Sequence, residues 1–221
     1  MTLEEAMRNR HTVRRYTDRK LPGDVVEQLN GRIGRNNREH GLAMGLVTEN
    51  AEAFGPVLRL FLAKGVRNYV ILAGKDRPGL EEDLGYCGAD VMLFAQTLGL
   101  NSWWVGGTFS RRGLRKNAAP GMEKLLGLLA VGYGAEQGTA HSSKRPEEIA
   151  AYEGEAPAWF TKGVEAVLLA PTALNKQAFA IRGRGRAVSM TCGSGVFSGV
   201  DLGIGKYHFE LGAGRENFDW A

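Results

Sequence analysis

The sequence predicts a protein of mixed α and β class, and three features carry that expectation. Tyr69-Val70-Ile71-Leu72-Ala73 is an unbroken apolar run closed by Gly74, the pattern of a buried strand. Leu84, Cys87, Val91, Ala95 and Leu98 recur at helical spacing. Segments of these two kinds interleave along the chain, so helices and strands share the fold.

In chain order, residues 2–9 read as a short helix leading into a basic segment. Leu21-Pro22-Gly23-Asp24 is a helix start, and the helix runs to about Asn37. The stretch from His40 to Pro56 has no apolar period and reads as loop. The helix through Leu84–Leu98 stops at Gly99. Ser102–Val105 is a strand running into Gly106-Gly107, and Leu128–Val131 a strand running into Gly132-Tyr133-Gly134. Residues 135–146 are polar and aperiodic, the best boundary between two halves. Phe160, Val164, Val167 and Leu168 mark an amphipathic helix, which must end near Ala170 because Pro171 disfavours helical backbone in the residue before it. Ala178 to Met190 reads as a hairpin turning at Gly183-Arg184-Gly185. A last helix over about 200–211 precedes a Gly-rich, irregular tail.

Composition narrows the class of protein. Hydrophobic residues at 43% and charged residues at 24% are ordinary globular values. No apolar run reaches the roughly 18 residues of a membrane span, and the acidic N-terminus lacks a signal-peptide pattern, so a cytoplasmic protein is expected. Cys87 and Cys192 are too few for a disulfide framework and have no partners at metal-ligand spacing; both read as small buried hydrophobes, with no metal site. Gly193–Gly199 has one residue too many for a dinucleotide fingerprint, and Gly205-Lys206 is followed by Tyr207 where a P-loop needs Ser or Thr. His208 reads as a core histidine.

The formal charge of +4 is modest but clustered. Arg111, Arg112, Arg115 and Lys116 form one group; Arg8, Arg10, Arg14, Arg15, Arg19 and Lys20 form another. In an extended segment, Arg10, Thr12 and Arg14 face one way and would offer two guanidinium forks and a hydroxyl to one anion. Taken alone, the same residues read equally well as a basic arm for nucleic acid.

Four segments together resemble the FMN-dependent nitroreductase family. Arg10-His11-Thr12-Val13-Arg14 is similar to its phosphate grip, and Gly99–Gly107 to the strand whose end meets the flavin edge. Val131-Gly132-Tyr133-Gly134 with Lys144-Arg145-Pro146 resembles the late strand and second basic phosphate contact. Ala170-Pro171-Thr172-Ala173-Leu174-Asn175-Lys176-Gln177-Ala178-Phe179 resembles the A-P-S-x-x-N-x-Q-P-W segment, with Ala178 standing where Pro is usual. That segment normally follows the grip by some tens of residues; here it lies near the C-terminus. The order resembles a subgroup with two fused half-units.

The resemblance implies an α+β fold with α-β-α layers, mainly antiparallel central sheets flanked by helices, arranged as an intrachain pseudo-dimer. Residues 1–140 would be the first half and 141–221 an abbreviated second half, holding one FMN between them. Arg10, His11, Thr12 and Arg14, with Lys144 or Arg145, would hold the phosphate; Gly106 and Gly107 would bring backbone N–H groups to the flavin, with Trp104 and Val105 lining the ring. Asn175 and Gln177 would offer amides, with Pro171, Thr172 and Ala173 packing beside them. No side chain need act catalytically. The implied activity is ping-pong transfer from NAD(P)H to a nitroaromatic, quinone or related small acceptor. A flavin-binding sensor or carrier is the alternative. Neither nucleic acid nor membrane is an expected partner, and a monomer or weak homo-oligomer is expected.

Overall fold

The computed structural model describes residues 1–55, 63–115, 117 and 120–221. The chain divides into two compact units. The N-terminal unit comprises Arg10–Leu80 and Val91–Ala140; the C-terminal unit comprises Met1–Asn9, Glu81–Asp90 and His141–Ala221. One change of unit falls between Ala140 and His141, and Met1–Asn9 and Glu81–Asp90 group with the C-terminal unit.

In the N-terminal unit, α2 (Gly23–His40) ends at Gly41, which adopts φ 62° and donates its N–H back to Asn37. Asn37 then clamps Met44 through two hydrogen bonds of 2.8 and 2.9 Å, delivering the chain to β1 (Gly45–Val47). This strand lies inside the stretch expected to be loop. Three half-buried residues at a sheet edge are too few to print a period of two. β2 (Tyr69–Gly74), β3 (Asn101–Val105) and β4 (Lys124–Gly132) complete an antiparallel sheet in the order β1-β2-β4-β3. Every residue of β2 is buried. Tyr69, Ile71 and Ala73 join Phe54, Trp103, Val105, Leu128 and Ala130 in one core. A short α4 (Arg111–Arg115) holds part of the second basic group; Lys116 lies outside the described residues.

Helix α3 (Leu80–Thr97) is continuous, yet its residues 81–90 belong to the C-terminal unit. The reason is local. Gly85 and Gly203 bring α3 against α7 (Ser198–Ala213) so closely that a Cβ at Gly203 would sit 2.6 Å from the Tyr86 amide nitrogen. A polar seam runs along the crossing. Tyr86 donates to Glu210 at 2.6 Å, Tyr207 to Asp90 at 2.7 Å, and Lys206 pairs with Glu82.

The same unit contains α1 (Leu3–Asn9), opened by a reciprocal Thr2–Glu5 capping box, then α5 (Pro146–Ile149) and α6 (Ala158–Val167). Its sheet has the order β5-β6-β7-β8, made of Ala150–Tyr152, Phe179–Arg184, Ala187–Cys192 and Asp219–Trp220. β6 and β7 form the expected hairpin, but they turn at Gly185-Arg186, with Gly185 at φ 55°. Gly183 stays inside the strand, paired with Val188, where a Cβ would collide with the Tyr152 and Phe160 rings. The tail is also ordered, contrary to expectation. β8 runs parallel to β7, and Phe218 is fully buried in a core with Phe160, Ile181, Val188 and Phe209. A strand of two residues leaves no sequence period; the two aromatics hold it instead. His208 is fully buried as expected, its Nδ1 2.8 Å from the Ile204 carbonyl oxygen.

Candidate functional site

The basic segment is not a solvated arm. It runs along the free edge of β3, where Thr12 bridges Ser102 in parallel and the Val13 N–H donates to the Ser102 carbonyl at 3.1 Å. The chain then crosses to the end of β4, through Thr17 N–H to Tyr133 O at 2.8 Å and Ala135 N–H to Arg15 O at 2.9 Å. Val13 and Tyr16 anchor it in the core. Gly138 packs against the Thr12 backbone and the His11 Cβ, so this connection braces the segment from behind.

Arg10 takes an unusual position on this segment. Its side chain is 6% exposed, and among the described residues no carboxylate or carbonyl receives its N–H groups. Burial pulls its pKa down to about 10, with Tyr16 nearby opposing the shift. The guanidinium therefore stays charged at neutral pH, with its donors unmatched among the described residues. Buried charges are ordinarily paired. A phosphate dianion fits that donor set in charge and geometry. His11 and Thr12 are half-buried; Arg14 is exposed and stands over the Trp103 ring at 5.6 Å.

At the end of β3, Val105 turns its side chain into the core and is 1% exposed. Trp103 and Val105 share the core face, and period-two alternation puts half-buried Trp104 on the other. Gly106 and Gly107 follow as a bend. Gly107 is exposed, and a Cβ there would meet nothing within 4 Å. The protein's own packing gives no reason for glycine at 107.

The remaining expected residues gather in the C-terminal unit. After α6 the chain passes Pro171 and makes a single 3-10 turn over Ala173–Asn175. Leu174, Asn175 and Gln177 have φ of 55°, 54° and 45°, a cluster of left-handed non-glycine residues. Gln177 is 1% exposed and its amide braces the loop. Its Nε2 donates to Ser142 O and to Asn175 Oδ1, both at 2.8 Å, and its Oε1 accepts from Lys144 N–H at 3.0 Å. Both donors are engaged, so Gln177 shapes this loop and has no N–H left for a ligand. Asn175 donates once, to Ser142 O, which leaves it one N–H. Lys144 Nζ donates to the Gln177 carbonyl at 3.0 Å. Exposed Arg145 pairs with Glu147 and Glu148 and caps α5.

Reading the sequence for motifs missed Asp201, whose carboxylate accepts the Ala173 N–H at 3.1 and 3.2 Å. The signal was an Asp on the stripe that also carries Ile204 and His208, the buried face of the last helix.

A "putative nitroreductase" from Thermotoga maritima aligns over 98% of this chain and 85% of its own, with TM-score 0.68 at 22% identity. A "putative nitroreductase in complex with FMN" from Desulfovibrio desulfuricans covers 71% of this chain and 99% of its own, with TM-score 0.54 at 17% identity. A "putative NAD(P)H:FMN oxidoreductase" from Staphylococcus epidermidis covers 67% and 94%, with TM-score 0.50 at 12% identity. No protein of curated function matches the sequence. The family described as "Putative TM nitroreductase" matches residues 2–213, and the chain belongs to that nitroreductase family. Among the described residues, no helix is long and apolar enough to cross a membrane.

Proposed function

We propose that this protein binds FMN and works as an NAD(P)H-dependent oxidoreductase on nitroaromatic, quinone or related small acceptors, with alternating half-reactions and a cytoplasmic address. The observation that carries this proposal is the largely buried Arg10 side chain, charged and without an acceptor among the described residues, on a segment held against the edge of β3. When bound, FMN would supply the redox chemistry, accepting hydride from NAD(P)H and reducing the acceptor.

The protein's residues supply binding and electrostatics. Arg10, Thr12 and Arg14 neutralise the phosphate, with His11 beside them. Gly106 and Gly107 leave room for backbone N–H groups to approach the isoalloxazine, and Trp104 packs near it. The open space around Gly107 supports that assignment. In the C-terminal unit, Asn175 contributes its remaining N–H, and Pro171, Thr172, Ala173, Lys144, Arg145 and Gln177 shape its loop. The division into residues 1–140 and 141–221 as fused half-units belongs to the same proposal, as does a monomeric or weakly associated state. A buried Arg10 and a core-anchored Val13 also favour a small phosphate over a polyanion along an open arm.

The test is the visible spectrum of the purified protein with added FMN, before and after anaerobic NADPH or NADH. A bound flavin that bleaches supports the proposal. A flavin that binds and never bleaches supports a carrier or sensor instead, and a protein that ignores FMN overturns the assignment.

A further inference from the structure

The Pro171–Gln177 loop carries backbone strain. Three of its residues sit in left-handed backbone conformations without being glycine, each of which works against the folded form. Its tip gains nothing from apolar burial, because Leu174 is 90% exposed. Such a loop persists only where surrounding contacts over-determine it. Gln177 ties one end to Ser142 and Lys144, and Thr172 Oγ1 accepts the Gln177 N–H at 3.0 Å. The other tie comes from α7. Both carboxylate oxygens of Asp201 accept the Ala173 N–H, and among the described residues this amide is the donor the carboxylate serves.

We infer that Asp201 is a positioning residue for the proposed flavin loop, using a buried carboxylate in the first turn of α7 to fix the Ala173 amide and so set the turn from Thr172 to Gln177. The inference rests on the flavin assignment above and extends it to a residue outside the family-like segments. Asp201 is 7% exposed. Lys176 on the loop and Cys192 at the end of β7 face it, and Glu81 of α3 packs against Gly199 nearby. Burial pushes its carboxyl up to about 6, against the amide hydrogen bond and Lys176, which act in the opposite direction. Carrying this charge therefore works against folding at neutral pH, while its hydrogen bonding serves one loop amide. A group placed only for stability would show the reverse balance.

The test compares full-length wild type with Asp201→Asn, which keeps an acceptor and drops the charge, and with Asp201→Ala, which drops both. Three quantities are measured at pH 7.5: FMN Kd, melting temperature without FMN, and hydrogen exchange of residues 172–177 without FMN. The expected order of affinity is wild type, then Asn, then Ala. Kd should rise about tenfold for Asn and up to about a hundredfold for Ala. Exchange of the loop amides accelerates in the same order, while the Asn variant melts at or above the wild-type temperature. Loop exchange unchanged in both variants overturns the inference, whether or not FMN binds. So does a melting temperature that falls in step with affinity, since Asp201 would then be a folding residue. Accelerated exchange in a set of proteins that all ignore FMN sustains the role of Asp201 on the loop and removes the flavin assignment.

Discussion

Replacing Arg10 with methionine keeps most of the aliphatic stem and removes the charge. The structure makes the two consequences opposite in sign. Burial draws the guanidinium well below its ordinary value, to about 10, so holding it charged costs the folded protein about 3 kcal/mol. The folded pKa is the lower one, so the unfolded chain binds the proton more readily. That cost is present in full at neutral pH and lifts only as pH rises past about 10. The unliganded Arg10→Met protein should therefore be more stable than wild type by up to about 3 kcal/mol in urea unfolding followed by circular dichroism. FMN binding should move the other way. A charge-assisted hydrogen bond to a buried partner is worth about 1.5–3 kcal/mol, so the Kd from fluorescence titration at fixed ionic strength should rise about ten- to a hundredfold. Lower stability combined with unchanged FMN affinity would refute the reasoning, because Arg10 would then be satisfied by the protein itself.

Gly107→Val should leave the melting temperature of the unliganded protein within a degree or so of wild type, since a Cβ there meets nothing, and should weaken FMN binding measurably. Gly203→Ala should lower the urea-derived stability by about 3 kcal/mol, because the added methyl lies 2.6 Å from the Tyr86 nitrogen and even closer to the Glu82 carbonyl. Phe218→Ala should cost about 3–5 kcal/mol by the same measurement; a loss below about 1 kcal/mol would show that the tail is not part of the core. The Asp201 carboxyl is raised to about 6 in the folded protein, so wild-type stability should fall by about 2 kcal/mol relative to Asp201→Asn as pH rises from 4 to 7.5.

Where burial repeats with the period of a local element, the sequence announces it. Tyr69–Ala73 and the Leu84–Leu98 stripe are such cases, because each carries enough consecutive residues for the pattern to stand out. β1, β5 and β8, of two or three residues each, exist because neighbouring strands and aromatic side chains offer them hydrogen bonds and cover. The same holds for the hairpin, whose type was legible while its turn moved by about a residue. Gly185 alone takes the left-handed turn, and Phe160 crowds Gly183 within the strand.

The candidate site divides along the same line. Residue chemistry by itself suited Arg10, Thr12 and Arg14 to an anion, and the family resemblance alone singled out the Pro171–Gln177 segment. Neither determined which guanidinium is buried and unmatched, that Val105 faces the core, or that both N–H groups of Gln177 are engaged within its own loop. Those outcomes depend on partners far apart in sequence, such as Thr12 with Ser102, Gln177 with Ser142, and Ala173 with Asp201. Type and spacing along the chain state what a side chain can do; burial and non-local hydrogen bonding, set only when the chain has folded, decide which of those capacities is left for a ligand.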